Sequence, residues 1–140
     1  MASSKTFSKW VHLTDESLHD VPQKTGIYEI RAPRSIKSIN RLIGKDEKGI
    51  LEIGQSSDLR IRLRAFYNAA KGGEESHSEG IRFFKLKLAR KLGIKIGELE
   101  VRFKEVKKSQ LKTTEEGHLL RYEERHGELP PLNHSGGKKV

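Results

Sequence analysis

The chain of 140 residues contains no cysteine. Disulfides, zinc–thiolate sites and thiol nucleophiles are therefore excluded. No apolar run is long enough to cross a bilayer, and the opening Met1-Ala2-Ser3-Ser4-Lys5 has no signal-peptide core. The expectation is a cytoplasmic protein with no membrane partner. Internal repeats and low-complexity segments do not occur. The hydrophobic fraction is only 34% and is matched by a charged fraction of 34%. Leu, Ile, Val and Phe nevertheless recur in periodic blocks, which fits a folded domain with a charged surface rather than a disordered chain. A chain of this length supports one domain with a modest core.

Lys and Arg number 28 against 19 Asp and Glu, for a net charge of +9 and a pI near 9.8. Each cation that neutralises a phosphate releases a condensed counterion, so this excess favours a nucleic-acid partner. Charge alone does not separate DNA from RNA or from an anionic lipid, nor from a basic surface kept for solubility. The densest basic run holds Arg82, Lys85, Lys87, Arg90, Lys91 and Lys95 with no acid among them.

Residues 1–24 are polar and attach through Trp10, Val11 and Leu13, with a short turn capped near Thr14. Pro22 ends any helix there. Gly26 to Arg31 reads as a first strand and Ile50 to Gln55 as a second, joined by a hairpin excursion with a turn at Asp46–Gly49. Ser56 or Ser57 is the expected cap of a helix running to about Ala70, its inner face formed by Leu59, Leu63 and Phe66. After a loop at Lys71–Ser76, Ile81 to Leu92 reads as one helix stopped by Gly93. Leu99 to Val106 alternates as a third strand, and Thr113 or Thr114 caps a last helix ending near Gly127. The expected fold is α/β, a small central three-stranded, largely antiparallel sheet flanked by helices. The boundaries are an N-terminal extension over 1–24, a domain over 25–133 and a flexible basic tail over 134–140.

Several residues have the chemistry for a phosphodiester site. Taken alone, Tyr28 is a core tyrosine, and its phenol, with an ordinary pKa near 10, serves as a base only beside a cation or metal. Arg62 can hold a phosphate bidentately and stabilise charge building on it. Arg60 and Arg64 are candidate backbone binders, although the three arginines project from different sides of the helix. Arg82, Lys85, Lys87 and Lys91 form a second group of candidate phosphate contacts. Glu116 is preferred over Glu115 as the carboxylate of the last helix, because Leu119 and Leu120 follow it at three and four residues. Alternation along the second strand sends Leu51 and Ile53 to one face and Glu52 to the other, the side of Tyr28. His77 is assigned to a solvated loop.

The ordered set Gly26-Ile27-Tyr28, Ile53-Gly54, Arg62, Glu116 and Asn133 resembles the GIY-YIG nuclease superfamily over residues 25–133. The first tripeptide is intact; the second reads Glu52-Ile53-Gly54, with Glu52 in place of its tyrosine. Arg62 stands eight residues after Gly54, the family spacing, and Asn133 ends a run containing Pro130 and Pro131. The resemblance implies a divalent-metal-dependent endonuclease on DNA, with one magnesium or manganese ion held by Glu116. Tyr28 would position or deprotonate water, Arg62 would stabilise the phosphate, and Asn133 would hydrogen-bond near the site. Cleavage would leave a 3′-hydroxyl and a 5′-phosphate. Glu52 either joins the metal, or stays protonated through burial beside another carboxylate, or marks a site kept only for nucleic-acid binding. With one domain and no separate reading module, DNA specificity is expected from a dimer, a partner or DNA shape.

Overall fold

The computed structural model describes residues 6–73 and 77–133. The expected basic tail over 134–140 lies outside that set, as do residues 1–5 of the extension and 74–76 of the Lys71–Ser76 loop. In chain order the elements are β1 (Val11–His12), α1 (Asp15–His19), β2 (Gly26–Arg31), β3 (Ile39–Asn40), β4 (Lys45–Asp46), β5 (Ile50–Ser56), α2 (Leu59–Ala70), α3 (Ser78–Lys85), α4 (Leu88–Leu92), β6 (Glu100–Glu105) and α5 (Leu111–His126). Short 3-10 turns precede β6 and α5.

The fold is α/β, and its main sheet is antiparallel with four strands rather than three, in the order β1-β6-β2-β5. The added strand comes from the polar extension: Val11 pairs with Val101 and His12 with Glu100. Two residues are too few to show strand periodicity in a sequence. A separate two-stranded ladder, β3 with β4, forms the excursion between β2 and β5. Its turn is organised by Asp46, whose carboxylate accepts the N–H groups of Lys48, Gly49 and Ile50.

β2 is buried along its whole length, because both faces of the sheet are covered. Tyr28 and Ile30 pack with Leu59, Leu63, Phe66 and Phe83 of α2 and α3. Ile27, Ile50 and Ile53 pack on the other side with Leu111, Leu119 and Tyr122 of α5. Each large apolar side chain removed from water in these layers contributes about 1.5–3 kcal/mol before entropy is counted. The β2–β5 register carries a bulge: Ile30 pairs with Glu52 but Arg31 with Ile50, leaving Leu51 as the extra residue. Leu51 therefore joins the Tyr28 layer, and the expected sharing of one face by Leu51 and Ile53 is corrected.

Three helix boundaries also differ from expectation. Asp58 caps α2 by accepting Ile61 N–H, while the Ser56 hydroxyl bridges the Asp58 backbone. The single helix expected over 81–92 is two, broken where Lys87 turns left-handed at φ 54°. No glycine or proline announces that break. Finally, α5 begins at Leu111, so Thr113 and Thr114 lie inside its first turn.

Gly80 sets the approach of α3 to α2. A Cβ there would stand 2.8 Å from both the Ala69 Cβ and the Phe66 carbonyl oxygen. A side chain would have to push the helices apart, because Phe66 presents backbone rather than a movable side chain. Gly80→Ala should destabilise the fold by about 1–3 kcal/mol, the usual cost of overpacking. Urea unfolding checks this, and a parent-like midpoint would show that the two helices separate freely.

Candidate functional site

The free edge of β5 is where the site assembles. Tyr28 and Gly54 are register partners, so both face α2 and α3. A Cβ on Gly54 would overlap the Tyr28 ring carbon Cζ and hydroxyl oxygen, so glycine lets the phenol lie across β5. The Tyr28 hydroxyl reaches Glu52, which is on the same face and only 2% exposed. It donates to Glu52 Oε2 at 2.8 Å and lies 3.0 Å from His77 Nε2.

His77 corrects its expected place in solvent: it is fully buried and caps α3. Its Nδ1 accepts the Gly80 N–H at 3.2 Å. In the neutral ring the proton is then on Nε2, which gives a directional chain from His77 through Tyr28 to Glu52. Burial, and then the charge of Arg62, push the His77 pKa down to about 3. Between about pH 3 and 6.5 the unfolded chain binds a proton that the folded one refuses. This contribution to stability is whole above pH 6.5 and is lost as pH falls towards 3.

Four further side chains surround the chain of bonds. Arg62, 37% exposed, reaches from α2 to within 3.7 Å of Glu79 in the first turn of α3. Burial opposes its charge, but Tyr28, Glu52 and Glu79 outweigh that and raise its pKa. From α5, Glu115 accepts Gln55 Nε2 at 3.3 Å. Its carboxyl is raised mainly by burial, then by Glu79 and Glu116, against the Gln55 hydrogen bond and Arg62. Asn133 runs along the β5 edge, accepting Ile53 N–H and donating to the Ile53 carbonyl. It holds the backbone between Glu52 and Gly54, supplying the partners that an outer strand would give.

The preference for Glu116 rested on Leu119 and Leu120 sharing its side, and that geometry does not hold. Leu120 is 55% exposed, and the buried stripe is Leu111, Glu115, Leu119, Tyr122 and His126. Glu115 lies on that stripe and Glu116 beside it, half-buried. Among the basic candidates, Arg60 spends its Nε on the Val21 carbonyl and Arg64 contacts His19. Arg82, Lys85, Lys87 and Lys91 are exposed on α3 and α4 and their connection. The sequence reading brought Tyr28, Glu52 and Arg62 together but missed His77 and Glu79. The signal available was the spacing His77-Ser78-Glu79-Gly80, a cap and a small residue opening a helix.

Glu52, His77 and Glu79 offer ligand atoms within 4.8 Å of one another, so the cluster could hold a metal ion. Glu52 Oε1 is buried with no hydrogen-bond partner and stands 4.0 Å from His77 Nε2. Burial, followed by the Glu79 charge, raises the Glu52 pKa well above the carboxylate range. A buried anionic oxygen without a partner is costly, and either a proton or a cation relieves it. Oxygen donors with one imidazole suit manganese as well as zinc or iron, and magnesium through the carboxylates.

No family model, curated protein or solved structure matches the chain.

The hydrogen-bond chain should behave as one unit. Tyr28→Phe leaves Glu52 Oε2 and His77 Nε2–H unpaired, each at a cost of about 1–3 kcal/mol. Combined with Glu52→Gln, the loss in urea unfolding should fall short of the sum of the single losses by at least about 0.5 kcal/mol. Additive losses would mean that the two residues do not act through each other. In metal-free protein, nitrogen NMR should show neutral His77 with its proton on Nε2.

Proposed function

We propose that the chain is a divalent-metal-dependent endonuclease that hydrolyses DNA phosphodiester bonds. The observation that carries this reading is the convergence of the Arg62 guanidinium with Glu52 and Glu79 beside buried Tyr28, with Glu115 of α5 at the same strand edge from the other face. A fixed guanidinium beside grouped carboxylates pairs a phosphate subsite with a cation subsite. The net charge of +9 adds attraction for a polyanion.

Arg62, partly exposed at the rim, would take the scissile phosphate and stabilise its growing charge. Glu52 and Glu79 would hold a magnesium or manganese ion, while His77, with Nδ1 taken by the Gly80 N–H and Nε2 by the Tyr28 hydroxyl, orients Tyr28 behind them, and Glu115 stands at the same strand edge with Glu116 beside it. When bound, such an ion polarises the phosphate and makes water more acidic. Tyr28 is fully buried, and its hydroxyl already donates to Glu52. Its part is therefore to fix one Glu52 oxygen and leave the other free, not to meet DNA. Asn133 positions Glu52 through the Ile53 backbone. The exposed cations Arg82, Lys85, Lys87 and Lys91 would track the phosphate backbone away from the cut.

One observation favours a second reading, a nucleic-acid-binding module with weakened catalysis. Arg62 already has a carboxylate neighbour, Glu79, which a phosphate would have to displace. Cleavage of supercoiled plasmid with magnesium or manganese decides between the two. Arg62→Ala should lower cleavage about 10²–10³-fold, as loss of a charge-stabilising donor does. Glu115→Gln should lower it far more than Glu116→Gln. DNA binding in chelator should survive these changes, and removing Lys85, Lys87 and Lys91 should flatten its log–log salt slope by about 0.9 per lost contact. A parent that binds DNA in this salt-dependent way but never cuts would select the binding module. No DNA binding at all would overturn both.

A further inference from the structure

The opposite face of the sheet carries a cavity that the site above does not use. Its volume is about 430 Å³, and it lies between β2, β4, β6 and α5. Glu29, Ile53 and Arg102 are register partners and line it, so they project away from Tyr28. The cavity is within the ordinary range for small-ligand pockets, about 300–1,000 Å³, and falls at the small end.

Its charges are unbalanced once pairings are followed. Arg102 grips Glu29 through Nε at 2.8 Å and Nη2 at 2.7 Å. Asp46 is consumed by three backbone N–H groups and by the Tyr122 hydroxyl, which donates at 2.8 Å. Glu47, exposed at the rim, is the remaining acid in the lining. Against it stand Lys45, Lys48, Arg121 and Arg125, none of which has an ion-pair partner among the described residues.

The surrounding groups register the same excess. Burial, then Lys104, Arg121 and Arg102, push the His118 pKa down to about 4. Lys104 is itself pushed below its ordinary value, by burial and then by Arg121. His118 is thus kept as a neutral acceptor, with its Nδ1 3.3 Å from Arg121 Nη2. Phe7 lies against it edge-on, with ring centroids 5.6 Å apart, and the Tyr122 and His126 rings meet at a tilt of 47° with centroids 4.5 Å apart. All four rings line the cavity. Cations without ion-pair partners beside aromatic side chains match a ligand that combines a phosphate with a flat heterocycle.

We propose that this cavity binds a nucleotide, its phosphate on Arg121, Arg125 and Lys45 and its base beside His118 and the edge of Phe7, whose ring face is taken by Arg102 at 4.2 Å. The same chemistry is offered by a free mononucleotide and by the 5′-phosphorylated terminal nucleotide of a strand. The proposal does not rest on cleavage at the β5 edge, because the two sites are on opposite faces of the sheet.

The test uses the full chain and calorimetric titration with 5′-AMP, inorganic phosphate, and short single strands bearing a 5′-phosphate or a 5′-hydroxyl. Saturable AMP binding is expected, at least tenfold tighter than inorganic phosphate. Arg121→Ala/Arg125→Ala, at two exposed helix positions, should weaken it at least tenfold with the unfolding midpoint unchanged. Arg62→Ala should leave it as it was. NMR shifts should concentrate at His118 and Phe7. Tighter binding of the free nucleotide, or of the 5′-phosphorylated strand over its hydroxyl counterpart, each supports the cavity and names the source. The proposal is overturned by absence of saturable AMP binding, by equal affinity for inorganic phosphate, or by an affinity that follows Arg62 instead of Arg121 and Arg125.

Discussion

The hydrogen bond between the Tyr28 hydroxyl and Glu52 sets the terms for everything near the β5 edge. Both groups are buried, so each must find its partner inside the protein. The phenol reaches across β5 only because residue 54 is glycine. Glu52 meets it only because the strand register holds, and Asn133 clamps that register at Ile53. His77 completes the chain only because Gly80 lets α3 dock against α2 and offers its N–H to the ring. Backbone geometry at four places thus converges on two oxygens. A conformational change at any of them unpairs a buried polar group, which is why so local an arrangement is also structural.

The basic residues divide into groups with different tasks. Arg31 and Arg102 are spent on Glu100 and Glu29 and lie against Trp10, tying the extension and β6 to the sheet. Arg41 is committed to Glu128 and the Leu129 carbonyl. Arg60 is held by the chain near Val21. Among the described residues, exposed cations outside these pairs are spread over the surface, Lys9, Arg34, Lys37, Lys107, Lys108 and Lys112 among them, and the α3–α4 cluster and the α5 cavity are two of the places where several gather. Net charge therefore overstates a uniform basic surface, and the useful quantity is the charge left after internal pairing.

Much of the fold was legible because the long elements announce themselves. The alternation of Leu99 and Val101 marked β6, and Leu59, Leu63 and Phe66 marked the inner face of α2. Gly93 and Gly127 ended helices where expected, with φ of 69° and 78°. What escaped was of two kinds. Short features carry too little pattern: β1 has two residues, and the break at Lys87 has no glycine or proline. Features set by tertiary contact have no local signal: the Leu51 bulge, the seating of Glu115 rather than Glu116 on the buried stripe of α5, and the burial of His77. For the pair of glutamates, Leu120 looked like a core anchor but points to solvent, so the apolar stripe was placed one residue out. His77 was judged by its polar neighbours, whereas its position is decided by Phe66 and Tyr28, which enclose it from other elements.

The presence of Glu52, rather than a neutral hydroxyl, also becomes intelligible from its surroundings. A carboxylate is small enough to accept the Tyr28 bond with one oxygen and leave the second aimed at His77. As an anion, that second oxygen lacks a partner, at a desolvation cost of several kcal/mol. As an acid it would need an acceptor for its proton, and His77 Nε2 is engaged with Tyr28 and too far, at 4.0 Å, to serve. Protonation lowers the cost without satisfying the geometry, whereas a cation shared with Glu79 would answer both the charge and the direction of the lone pair. The same step would draw Glu79 towards the ion and loosen its hold on Arg62. In the site proposed above, cation binding and phosphate binding would then favour each other, through one carboxylate that cannot serve both partners fully at once.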